Sequence, residues 1–192
     1  VKRWNNGTPF GYFWYRKTLV VSTIDGLTLS LVKKFKLTDH ISVLDISKTL
    51  DKLMEFQNNP LELGESITNS QFRSYDFLPR IAVSILNGTK VPNDKLNIDE
   101  VPTAPSAIWW IDNFGNCKTT ILPEEITSKM NGLVQTKMGE FNFTPHLKDV
   151  THGESALIIG SSGLEKKRFV EIVVQGESAA KHYNLSVGDT VI

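Results

Sequence analysis

The densest chemistry in this sequence sits at Ile111-Asp112-Asn113-Phe114-Gly115-Asn116, where an acid, an aromatic ring, a glycine and an amide follow an apolar stretch. Asp112 can bind an ammonium group, Phe114 can stack on a purine, and Asn116 can both donate to and accept from a base edge. The same spacing suits a plain hairpin turn in which Asp112 and Asn116 only satisfy backbone groups. On residue type alone the two readings stand level. A second candidate, Gly160-Ser161-Ser162-Gly163, offers amides that can cradle an anion, although a tight turn between strands is the commoner use of such a run. No metal site is expected, because His40, His146, His152 and His182 are scattered and a catalytic zinc requires three convergent ligands. The serines lack a Gly-x-Ser-x-Gly elbow, which removes support for a hydrolase triad. Cys117 is the single cysteine, so neither an intrachain disulfide nor a thiolate cluster is available.

The elements around these residues differ between the two halves of the chain. Gly11 to Val21 is aromatic and β-branched and reads as a strand or hairpin after an Asn6-Gly7 turn. Asp25-Gly26 turns the chain into a helical spacing of Leu27, Leu31 and Phe35. Ile41 to Ile46 reads as a short strand. Ser47 is placed to cap a helix with Leu50, Leu53 and Met54 on one face, stopped by Asn58-Asn59-Pro60. Leu78, Ile81, Ala82, Ile85 and Leu86 make an apolar stripe, with Asp76 as its cap, Pro79 in the first turn and Gly88 at the end. Lys90 to Pro105 is polar, holds three prolines and reads as an interdomain linker. Beyond it, Ala107 to Ile111, Thr119 to Leu122, Phe141 to Phe143, Ser155 to Ile159 and Phe169 to Val174 are short, strand-like and separated by Gly, Asn and Asp. The fold class is therefore α+β: a partial α/β domain plus linker over 1–104, then a small antiparallel β-barrel over 105–192.

Composition narrows the function classes. Apolar residues make up 40% and charged residues 22%, as in ordinary globular chains. Lys and Arg together number 21, matched by 21 Asp and Glu, so the basic surplus that a nucleic-acid binder uses on phosphates is missing. Lys166-Lys167-Arg168, the densest basic run, reads as a solvated hairpin tip. Apolar runs such as Ala156 to Ile159 are far too short to cross a bilayer, and no secretory leader pattern is visible. No nucleic-acid or membrane partner is expected, and the cytoplasm is the expected location. The chain opens Val1-Lys2-Arg3-Trp4 without an initiator Met, which suggests a fragment or processed product.

The order of motifs after residue 105 resembles one family. Ile111-Asp112-x-Phe114-Gly115-Asn116 followed by Thr119-Thr120-Ile121 is similar to the C-terminal signature of the S-adenosylmethionine (SAM) hydrolase and fluorinase/chlorinase family, which usually shows Thr-Asn at the Thr-Thr step. Asp149-Val150, Gly153-Glu154, Gly160-Ser161-Ser162-Gly163, Val170-Glu171-Ile172, Ser178-Ala179-Ala180 and Val187-Gly188-Asp189-Thr190-Val191 follow in family order, and Glu165 to Arg168 reads as an insertion lengthening a hairpin. In the first half, Ser22 to Leu27 stands where the family has a Pro-Asp-Asn-Gly turn. Gln71 to Asp76 stands where it has Thr-Phe-His-Gly-Arg-Asp, so Arg73 and Tyr75 occupy the family's His and Arg positions. The family's opening strand with its SAM-binding aspartates has no counterpart, and the chain reads as the C-terminal two-thirds of such a protein.

The resemblance implies an enzyme, typically a homotrimer, that cleaves SAM to adenosine and methionine by water attack at ribose C5′, with SAM as substrate and no further cofactor. It implies that Asp112 pairs with the methionine ammonium and that Phe114 packs on adenine. It gives adenine reading to Asn116 and the backbone from Gln175 to Glu177, and the methionine carboxylate to Ser161 and Ser162. Water activation in the family involves an Asp-Arg-His group that this chain does not reproduce. A catalytically inactive relative that binds an adenosine compound, or serves as a structural oligomer, is the alternative.

Overall fold

The aromatic and β-branched run near the start does form a hairpin. In this computed structural model, which describes residues 8–57, 61–126 and 132–192, β1 (Phe10–Tyr15) pairs with β2 (Thr18–Thr23) from Phe10 opposite Thr23 to Tyr15 opposite Thr18. The expected Asn6-Gly7 turn and Asn58-Asn59-Pro60 stop lie outside the described residues. The chain divides into two compact units, Val1–Thr103 and Ala104–Ile192.

In the first unit, α1 (Ser30–Phe35) begins only after Leu27, which stays exposed. β3 (His40–Leu44) joins the free side of β1. Gly11 permits this approach, because a Cβ there would sit 2.5 Å from Ile41 Cγ2 and 2.7 Å from Ile24 Cγ2. The next helix, α2 (Ile46–Gln57), is capped by Asp45 rather than Ser47: Asp45 Oδ1 accepts the Lys48 amide at 3.1 Å. That hydrogen bond, aided by the Lys48 ammonium, holds the Asp45 carboxyl below its ordinary range against a smaller opposing effect of burial. After α3 (Leu61–Thr68) and the single turn α4 (Arg73–Asp76) comes α5 (Leu78–Leu86). Phe77 precedes α5 without a side-chain cap. Asp76, the expected cap, instead ends α4 and accepts the Ser70 hydroxyl.

The stripe on α5 is narrower than its sequence suggests. Ile81 and Ile85 are buried with Phe10, Leu44, Leu50, Leu53, Met54, Ile67 and Phe77, whereas Leu86 faces solvent. Gly88, at φ 82°, ends the helix with its amide on the Ile85 carbonyl. The segment expected as a linker is a correction: Asn93–Asn97 forms β4, pairing with β3 from His40 opposite Asn97 to Leu44 opposite Asn93. The first sheet has the order β2-β1-β3-β4, and all its pairs are antiparallel.

The second unit holds β5 (Ile108–Ile111), β6 (Cys117–Thr119), β7 (Leu133–Thr136), β8 (Gly139–Thr144), β9 (Ser155–Leu164), β10 (Lys167–Val174) and the short α6 (Ala179–His182). Its sheet has the order β5-β6-β10-β9-β8-β7. The α+β class stands, but the closed antiparallel barrel does not. β8 runs parallel to β9, because residues 145–154 cross over instead of making a hairpin, and among the described residues the edge strands β5 and β7 do not pair with each other. The C-terminal segment spans the gap instead. The Ile108 amide donates to Asp189 O and the Val191 amide to Ser106 O, while the Lys137 amide donates to Val191 O. Ile108, Cys117, Phe141, Leu157, Val170, Ile172, Val174 and Val191 fill the core of this unit. Glu165-Lys166 turn the β9–β10 hairpin, with Glu165 at φ 54°, and Lys166, Lys167 and Arg168 are exposed at its tip. Among the described residues no helix is long and apolar enough to cross a membrane.

Candidate functional site

The β5–β6 connection is a turn built on Asp112. Its Oδ1 accepts the Phe114 and Asn116 amides, both at 3.0 Å, and its Oδ2 accepts the Asn116 side-chain amide at 3.3 Å. The Asp112 amide donates to Asn116 O and the Gly115 amide to Asp112 O. Partial burial pushes the Asp112 carboxyl upward, but the bonds from Asn116 and Phe114, with the nearby Lys118 charge, outweigh it and leave the group below its ordinary range. The carboxylate therefore serves the turn, while Phe114 is thrown outward with 80% of its surface exposed.

The turn after β10 meets this corner. The Gln175 amide donates to Glu154 O, the Gly153 amide to Gln175 O, and Gly176 at φ 86° lets the chain reverse beneath the His152 ring. Ser178 then caps α6, its Oγ accepting the Lys181 amide at 3.2 Å. Gly115 locks the two turns together. Its carbonyl accepts the Ala180 amide at 2.9 Å, and a Cβ in its place would fall on Ser178 Oγ and lie 2.9 Å from Ser178 Cα. Between the turns lies an open cavity of about 450 Å³ lined by Phe114, Asn116, Leu147, Val174, Gln175, Gly176, Glu177 and Ser178. That size suits a small organic ligand, and the lining joins apolar walls to a few polar groups. Two cavities of similar size in the first unit, about 450 and 530 Å³, are lined by lysines and loop polar groups without an aromatic wall.

Residues 106–192 match the family model of the SAM hydroxide adenosyltransferase C-terminal domain. The second unit is thus similar to the C-terminal domain of the SAM hydroxide adenosyltransferases. The fold of the whole chain is similar to that of an uncharacterized conserved protein from Thermotoga maritima, with a TM-score of 0.64 and 18% identity over 96% of this chain and 71% of that one. It is also similar to a conserved hypothetical protein from Thermus thermophilus, with a TM-score of 0.56 and 17% identity over 94% of this chain and 65% of that one. At these identities the likeness is one of fold. None of the curated proteins is similar enough in sequence to match.

Within the second unit, the expected residues fall into three groups. Phe114, Asn116, Gln175 and Glu177 share the cavity. Asp112 stands behind it as the turn's acceptor. Ser161 and Ser162 lie elsewhere, in β9 itself rather than in a loop, at an irregularity where Val170 pairs with Ile159 and Arg168 with Gly163. The Ser161 amide, expected to be open for an anion, donates to Glu171 Oε1 at 3.1 Å. Ser162 Oγ is buried with no hydrogen-bond partner. Leu147, Val174 and Ser178 also line the cavity, and the sequence assigns none of them a binding role. Ser178 belongs to the Ser178-Ala179-Ala180 block of the family resemblance, which assigned it no role.

Arg73 and Tyr75 lie on α4 of the first unit. Tyr75 is 81% exposed, while Arg73 places its guanidinium 5.9 Å from the Phe10 ring centre with Nη1 buried and unpartnered. Among the described residues no group of three or more His, Cys, Asp or Glu side chains is arranged to hold a metal ion.

Proposed function

We propose that the second unit takes the adenosyl group of SAM into the cavity between the 112–116 corner and the 174–178 turn, in an enzyme that hydrolyses SAM to adenosine and methionine. The observation that carries this reading is that Phe114 and Asn116 meet Gln175–Glu177 around one cavity inside a unit similar to the C-terminal domain of that family. The exposed Phe114 ring offers a stacking face, and Asn116 keeps a side-chain carbonyl for a base edge while its NH2 is shared with Asp112. Within this cavity the reading rests on Phe114, Asn116 and the Gln175–Glu177 turn; Asp112 holds the corner through the Phe114 and Asn116 amides it accepts, and Ser161 and Ser162 are not part of the lining. In the reaction a water oxygen bonds to ribose C5′ as the C5′–S bond breaks. The electron pair returns to sulfur, methionine leaves neutral at sulfur, and the water proton is lost to solvent or a base. Such a weak nucleophile must be stripped of bulk water and aligned with the sulfonium.

Binding without turnover is the second reading, and Arg73 favours it. An arginine side chain offers only hydrogen-bond donors and cannot take a proton from water as the family's histidine can. Incubation with SAM, followed by chromatographic detection of adenosine beside calorimetry, separates the two. Adenosine above the uncatalysed rate supports hydrolysis, and binding without product supports the second reading. A chain that binds neither SAM nor adenosine refutes both. A homotrimer in the cytoplasm is part of the first reading, and light scattering on the purified chain tests the assembly.

A further inference from the structure

Ser161 does not line the cavity at the corner, yet a line of charged contacts joins the two across the sheet. Lys118 on β6 lies opposite Glu171 on β10. Its ammonium donates to Glu171 Oε1 at 2.6 Å and sits 3.5 Å from Asp112 Oδ2. Glu171 is 4% exposed, and the same Oε1 accepts the Ser161 amide at 3.1 Å. Gly160 leaves the space that this carboxylate occupies, since a Cβ there would fall on it. A buried carboxylate is tolerated only when paired and hydrogen-bonded, and Glu171 meets both conditions through partners from two separate segments. Each end of the line fixes backbone: Asp112 holds the Phe114 and Asn116 amides, and Glu171 holds the Ser161 amide.

We propose that Lys118 and Glu171 are positioning residues that set the adenine-facing corner and the Ser161 segment in register with each other. Their purpose rests on the adenosyl reading above, but their coupling is a property of the ligand-free protein. The line Asp112–Lys118–Glu171–Ser161 explains why a lysine and a glutamate stand in these strands beside the buried apolar Cys117, Val170 and Ile172. Removing the lysine leaves two carboxylates, one of them buried, without their shared cation, so both ends must relax together. An arginine can still span two carboxylates and preserve the link.

The test is the amide spectrum of the full chain without ligand, for wild type, Lys118→Met, Lys118→Arg, Glu171→Gln and Gly160→Ala. The expected result is that Lys118→Met shifts the Phe114, Asn116 and Ser161 amide resonances together, while Ile41 in the first unit stays in place. Lys118→Arg returns all three toward wild type. Should Lys118→Met fail to fold, Glu171→Gln and Gly160→Ala perturb the same line from its other end and must move the Asn116 amide. Shifts confined to 112–116 with Ser161 unchanged, or no recovery in Lys118→Arg, overturn the proposal. Calorimetry supplies a second readout, in which Lys118→Met weakens adenosine binding about tenfold and Lys118→Arg stays within about threefold of wild type. If wild type binds no adenosine, the pocket reading fails while the amide shifts still decide the coupling.

Discussion

Replacing Gly115 with alanine separates the cost of a left-handed backbone from the cost of a closed contact. Gly115 has φ 84°, and its missing Cβ is what lets Ser178 approach, with Ser178 Cβ 2.6 Å and Cα 2.9 Å from where that atom would be. Gly188, at φ 100°, shares the strained backbone region but has nothing within 4 Å of the same position. Gly188→Ala should therefore cost about 1–2 kcal/mol, the strain of an L-residue at positive φ. Gly115→Ala carries the same strain plus an overpacking cost of about 1–3 kcal/mol, because the clash includes backbone that cannot rotate away. The displaced corner also parts from the 174–178 turn, so the two walls of the cavity separate. Urea unfolding of both variants gives the stability difference, and adenosine calorimetry gives the second effect. If Gly115→Ala is no less stable than Gly188→Ala, the close contact with Ser178 is not what the glycine serves. The account of how the two turns lock would then be wrong.

Four further outcomes follow from the described contacts. Cys117 is fully buried, and burial, with smaller contributions from Asp112 and Asp189, pushes its thiol from 9.0 up to about 11. It should resist a thiol reagent at pH 8 until denaturant is added, and labelling of the native chain at the denatured rate would contradict this. Because the raised value belongs to the folded state, the contribution of Cys117 to stability is whole below about 9 and is lost as pH rises toward about 11, which alkaline unfolding curves can detect. Asp112 has the opposite sign: its lowered folded value makes its contribution present above the unfolded carboxyl range and lost as pH falls through the folded one. Asp112→Asn should flatten the acid limb of a stability-against-pH curve, and an unchanged limb would show that the turn does not depend on the charge. Asp45→Ala should destabilise the first unit by about 1 kcal/mol through loss of the α2 cap, whereas Ser47→Ala should change little. Equal losses in urea midpoints would return the cap to Ser47.

The parts of the fold that were legible in the sequence are those fixed locally. The apolar runs at 155–159 and 169–174 identify the β9–β10 hairpin, though not that β9 continues through Gly160–Gly163, and the spacing of Ile81 and Ile85 identifies α5. β4 was not legible, because Asn93-Asp94-Lys95-Leu96-Asn97 contains one apolar residue and its pairing is set by β3, far away in sequence. The caps of α2 and α5 misled for a related reason: several acids and hydroxyls stand near each helix start, and only the backbone path decides which one reaches an amide. Asp112, Phe114 and Asn116 could be found by type, but not the division of labour in which the acid builds the turn and the ring faces outward. Glu171 lies in a block that carries the family resemblance, whereas Lys118 falls between two such blocks and has no signal of its own. Their pairing depends on the β6–β10 register, which carries no local signal.

The strand-like tail that bonds to Ser106, Ile108 and Lys137 has a consequence for handling the protein. Trimming Thr190, Val191 and Ile192 would strip hydrogen-bonding partners from two sheet margins at once and uncover Val191's place in the interior. Unprotected margins of that kind recruit other chains. Light proteolysis at this end should therefore produce aggregates before it produces a soluble shortened form, and an affinity tag is better placed where it exerts no pull on those three residues.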